Sequence, residues 1–85
     1  MANLQSFRRM KFTVEHNAQH VTVWDENKKY GFRFDKGDKL AICRLTVITD
    51  RANLTTVEGM QELDTVRAEF LKFARATFPV EFGKE

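Results

Sequence analysis

The sequence predicts an α+β domain, an antiparallel β-meander of three to four strands with one long C-terminal helix packed on one face. Three observations lead there. Through residue 49, apolar and polar side chains alternate with the period of two expected of half-buried strands. Two polar turns, Asp25-Glu26-Asn27-Lys28 and Asp35-Lys36-Gly37-Asp38, divide that stretch. Near residues 50–55 the apolar period changes to three and four, that of an amphipathic helix. With 85 residues, the chain has room for one domain, residues 1–85, with one modest core.

The first strand is expected over about residues 9–15, where Met10, Phe12 and Val14 point one way and Arg9, Lys11, Thr13 and Glu15 the other. Polar residues 16–20 form a loop. Strands over 20–24 and 29–35 are rich in β-branched and aromatic residues, which suit a pleated surface. The second turn supplies Gly37 for a positive φ. A long strand over 39–49 follows, rich in Ile, Leu, Val and Thr. The helix is expected over about 56–77, opened by a capping box of Thr55 and Glu58. Its apolar stripe is Met60, Leu63, Val66, Phe70, Phe73 and Ala74, with Leu71 at its margin. Gly59 weakens its first turn by about 1 kcal/mol relative to alanine. Pro79 ends it, and Phe78, Val80 and Phe82 alternate in a tail that folds back or adds a short strand.

Hairpin register then assigns the faces. Four-residue turns at 25–28 and 35–38 pair Val23 with Tyr30, and Phe32 with Ala41. One face holds Val21, Val23, Tyr30, Phe32, Phe34, Ala41, Cys43, Leu45 and Val47, and it takes the helix. The other holds Thr22, Trp24, Lys29, Gly31, Arg33, Leu40, Ile42, Arg44, Thr46 and Ile48. One helix covers one face of a sheet, so this second face stays open unless residues 1–8 or the C-terminal tail cover it. Trp24 there can lay its ring over the bare backbone of Gly31.

Composition excludes several classes. Hydrophobic residues make up 42% and the net charge is only +2, which is not the signature of a disordered chain. The single Cys43 forbids an intrachain disulfide and suits the cytoplasm. The N-terminus lacks a signal-peptide core, and no apolar run approaches the ~18 residues of a membrane span. Charge is uneven: residues 1–52 hold ten Lys/Arg against six Asp/Glu, and residues 53–85 hold four against six. The basic excess therefore lies with the strands and favours an anionic partner surface.

Signals for chemistry are sparse. His16 and His20 are four apart, but in a strand context that spacing does not converge on a metal as it does on a helix. Cys43, assigned to the core, is a small hydrophobe there rather than a nucleophile. The glycine-rich phosphate loops and the nucleophile-elbow motif are absent. The expectation is no enzyme, no metal and no cofactor.

The stretch Lys28-Lys29-Tyr30-Gly31-Phe32-Arg33-Phe34 resembles the Lys-Gly-Tyr-Gly-Phe core of cold-shock domains, and more loosely the aromatic strand of RNA-recognition motifs. The resemblance covers about ten residues. It departs at Lys29, where glycine is expected, and at Leu40-Ala41-Ile42-Cys43, which offers no stacking ring. It implies single-stranded nucleic-acid binding, with alternate aromatics stacked on bases. Such stacking requires Tyr30 and Phe32 to be exposed.

The residues themselves point first to a small non-enzymatic protein–protein interaction module, an adaptor or inhibitor of a larger protein. Trp24, Leu40 and Ile42 would anchor the open face, while Lys29, Arg33 and Arg44 would steer it to an acidic patch. The alternatives are a single-stranded nucleic-acid binder using the basic sheet and a homodimer through the open faces. The chain is then a monomer or homodimer with no membrane association.

Overall fold

A computed structural model describes residues 10–83. The fold is the expected α+β meander. Strands β1 (Thr13–His16), β2 (His20–Trp24), β3 (Gly31–Asp35) and β4 (Thr46–Ile48) form one antiparallel sheet in the order β1-β2-β3-β4. Helices α1 (Ala52–Thr55), α2 (Val57–Thr77) and α3 (Pro79–Phe82) follow.

Both registers differ from the four-residue-turn expectation. Trp24 pairs with Gly31 and Val23 with Phe32, a shift of two, because residues 25–30 form the connection. The Asp25 carboxylate accepts the Lys29 and Tyr30 amides at 2.8 and 3.4 Å, and Lys28 takes φ +56°. On the other side Phe32 pairs with Val47 rather than Ala41. Even shifts preserve the pleat, so Val21, Val23, Tyr30, Phe32, Phe34 and Val47 still line one face.

The expected strand over 39–49 is corrected. Only Thr46–Ile48 pair, and residues 39–43 wind into helical turns. Asp38 starts them, its carboxylate accepting the Leu40 amide at 2.9 Å and its carbonyl the Ala41 amide at 3.1 Å. The turns bury Ala41, as expected, but leave Cys43 exposed instead of in the core. They also take Leu40, Ile42 and Arg44 off the sheet.

Helices α2 and α3 serve the Val23–Phe32 face, and α1 packs on α2. Phe70 of α2 is fully buried and stacks on Phe32, ring centroids 4.5 Å apart. Met10, Phe12, Val14 and Leu45 close the margins of the core. The tail folds back as a helical turn rather than a strand, setting Phe82 edge-on to Phe34 at 4.8 Å and to Phe70 at 5.5 Å. Within the expected stripe Met60 is exposed and its neighbour Gly59 is buried. The helix cap is Thr56, one residue after the expected Thr55; its hydroxyl accepts the Gly59 amide at 3.1 Å.

Candidate functional site: the outer sheet face

The β2–β3 and neighbouring registers lay the outer face out as two rows. One runs Thr13, Trp24, Gly31, Ile48, and the other Glu15, Thr22, Arg33, Thr46. Trp24 and Ile48 flank Gly31, so a glycine separates the two apolar side chains. The Trp24 ring lies over it: a Cβ added at Gly31 would sit 2.9 Å from Trp24 Cζ3. The indole Nε1 donates to Glu15 Oε1 at 3.1 Å, and Glu15 also pairs with Lys28 at 3.6 Å. Trp24 is thus held by backbone beneath it and a carboxylate at its edge. Arg33 is exposed, and its Nε donates to the buried Thr22 hydroxyl at 3.2 Å.

Of the six residues assigned to this face, the structure keeps two together, Trp24 and Arg33. Lys29 belongs to the 25–30 connection and reaches the helix side, where its Nζ pairs with Glu62 at 2.6 Å. Leu40, Ile42 and Arg44 lie on the 39–44 segment, and Arg44 pairs with Asp38 at 3.7 Å. Leu40 and Ile42 remain about half exposed, at 52% and 49%. Of the two segments proposed to cover the outer face, the tail packs on the opposite side through Phe82, and residues 1–8 lie outside the described residues.

The nucleic-acid resemblance loses its stacking residues. Tyr30 and Phe32 are fully buried, so neither ring can meet a base. Tyr30 is instead structural. Its hydroxyl lies 3.1 Å from Glu62 Oε1 and 3.3 Å from the Gly59 carbonyl, joining the sheet to the first turns of α2. Hydrogen bonds from Lys29 and then Tyr30 hold the Glu62 carboxyl below its ordinary range. The hydrogen bond to Glu62 raises the Lys29 ammonium. Burial first, and the Glu62 carboxylate second, push the Tyr30 phenol up. No sequence period signalled this cluster, because Lys29 and Glu62 are 33 residues apart.

His16 and His20 fall on opposite faces of the pleat, since Val14 shares the side of His16 and Thr22 the side of His20. Among the described residues, no group of three or more His, Cys, Asp or Glu side chains is arranged to hold a metal ion. No described helix is long and apolar enough to cross a membrane. No protein-family model, curated protein or solved structure matches the chain.

Proposed function

We propose that this protein is a small non-enzymatic interaction module that docks a protein partner on its outer sheet face. One observation carries the reading: Trp24, pinned over Gly31 and beside the exposed Arg33, stands on a face that none of the three helices packs against. A tryptophan already held in one rotamer loses little entropy on binding, and Trp and Arg dominate interface energetics. Arg33 supplies the steering charge toward an acidic partner surface. The free thiol of Cys43 suits the reducing cytoplasm, where we place this activity.

Trp24 is the single tryptophan, so its emission reports this face directly. Proteins captured from a cell extract by the wild type but not by Trp24→Ala would be identified and purified. Quenching of Trp24 by the purified partner, weakened by Arg33→Glu, is the expected result. Parallel titrations use mixed-sequence single-stranded DNA and RNA at about 50 and about 200 mM salt. Saturable quenching that falls steeply with salt would replace the protein-partner reading with nucleic-acid binding. Sedimentation at two concentrations supplies the remaining contrast, since dimerisation abolished by Trp24→Ala would assign the face to a second copy.

A further inference from the structure

On the helix side, two shallow hollows of about 520 and 420 Å³ meet at Ile42. Lys39 and Arg75 flank the first, while Cys43, Arg67 and Leu71 flank the second. Arg67, Leu71 and Arg75 are successive i, i+4 positions of α2, so they form one ridge along the helix. Ile42, 49% exposed, faces that ridge from the 39–43 turns. Lys39, Arg67 and Arg75 pair with no carboxylate among the described residues. The single acidic side chain of the lining, Glu81, is occupied by the Gly37 amide at 2.7 Å. That amide leaves the Glu81 carboxylate charged, so Lys39 and Arg75 outnumber it at one end and Arg67 stands at the other; the furrow is apolar along its centre and net cationic at both ends.

We infer that this furrow is a second docking site, which takes an extended acidic peptide segment with one bulky apolar residue midway between two carboxylates. The spacing sets the pattern. Arg67 and Arg75 are separated by about 12 Å along the helix, at 1.5 Å per residue. In an extended chain, positions i and i+4 are separated by about 13 Å, and i, i+2 and i+4 share one face. An acid-x-apolar-x-acid segment thus sets its apolar side chain between Ile42 and Leu71 while its carboxylates meet the two guanidinium groups. Arginine suits carboxylate recognition because its planar fork binds two oxygens. A helix, about 10 Å across, fits a furrow walled by one helix and a short turn less well. The site is separate from the outer face, and two surfaces on opposite sides of the sheet suit an adaptor.

Cys43 lines the furrow and is exposed, which makes it a reporter. A fluorescein-labelled peptide, Gly-Ser-Glu-Thr-Leu-Thr-Glu-Ser-Gly, is titrated by anisotropy, and protection of Cys43 from iodoacetamide is followed in parallel. Its isomer Gly-Ser-Glu-Glu-Thr-Thr-Leu-Ser-Gly keeps composition and charge but breaks the spacing. The expected result is binding of the first about fivefold tighter than the isomer, the effect of one lost ion pair. Cys43 should be protected, and Arg67→Glu with Arg75→Glu should abolish both effects. That double variant should in turn bind Gly-Ser-Lys-Thr-Leu-Thr-Lys-Ser-Gly, and a far-ultraviolet circular dichroism spectrum matching the wild type shows that it is folded. Trp24→Ala should leave all of this unchanged. Equal affinity for the two isomers would overturn the spacing, and the absence of Cys43 protection would overturn the site.

Discussion

Gly59→Ala sets two physical effects against each other, and the structure decides between them. In an ordinary helix the change stabilises by about 1 kcal/mol, because alanine loses less backbone entropy. Gly59, however, is buried where α1 crosses the start of α2. A Cβ there would strike the Asn53 carbonyl oxygen and lie 2.7 Å from the Asn53 Cα. These are backbone atoms, so no side chain can swing aside. Nor is α1 free to retreat. Asn53 Nδ2 donates to Thr49 Oγ1 at 3.0 Å, and Thr49 Oγ1 donates to the Lys29 carbonyl at 2.7 Å. The Thr56 cap hydroxyl also reaches the Ala52 carbonyl, at 3.2 Å. Overpacking costs about 1–3 kcal/mol, and a contact this short with fixed atoms belongs at the upper end. The net expectation is destabilisation by about 2 kcal/mol, a fall in Tm of roughly 8–16 °C for a domain of this size. Urea denaturation followed by Trp24 emission and far-ultraviolet circular dichroism measures it, with an unchanged m-value. Ala68→Gly, at an exposed site on α2, calibrates propensity alone and should cost about 1 kcal/mol. A Gly59→Ala protein as stable as the wild type, or more so, would refute the close α1–α2 approach.

Three further outcomes are expected. Gly31→Ala should destabilise by about 1 kcal/mol in the wild type and by little in a Trp24→Ala background; coupling near zero in that double-mutant cycle would mean that the ring does not rest on Gly31. Phe70→Ala should cost about 3–5 kcal/mol by denaturant titration, since a fully buried ring stacked on Phe32 leaves a cavity; a loss below about 1 kcal/mol would contradict that packing. The Lys29–Glu62–Tyr30 cluster should narrow the pH range of stability at both ends. The Glu62 carboxyl is depressed, so its contribution is present above its unfolded pKa of about 4.3 and is lost as pH falls through the folded value. The Lys29 and Tyr30 groups are raised, so their contributions are present below about pH 10 and are lost as pH rises through their folded values. Glu62→Gln should flatten the acid limb and lower the titration midpoint of Tyr30. Tyr30 is the single tyrosine, so near-ultraviolet tyrosinate absorbance reads that midpoint directly; an unchanged midpoint would separate Tyr30 from Glu62.

The alternation of apolar and polar residues placed Val21, Val23, Tyr30, Phe32, Phe34 and Val47 on the core face even though both pairings came out displaced. Faces depend only on whether a shift is even, and the displacements were even. The same logic put Trp24 and Arg33 together on the other face. It failed for Leu40, Ile42 and Arg44 because β-propensity is a local preference that packing overrides. With Phe32 opposite Val47, a strand continued back to residue 39 would meet residue 40, so that stretch is taken up by the connection between β3 and β4. The chain there turns instead, burying Ala41 and exposing its neighbours.

Local periods in the sequence carried the α+β class, the faces of the first three strands, and the long helix with most of its inward stripe, and hairpin reasoning set Trp24 over Gly31. Contacts between distant segments were decided by the tertiary structure alone. The buried Gly59 reads as a helix defect until Asn53 is seen against it. Lys29 reads as a sheet cation until Glu62 claims it. The furrow at Ile42 exists only because α2 brings Arg67 and Arg75 beside a turn more than twenty residues earlier in the chain. Periodicity reports which way a side chain points relative to its own backbone, and it carries no information about which remote surface that direction meets.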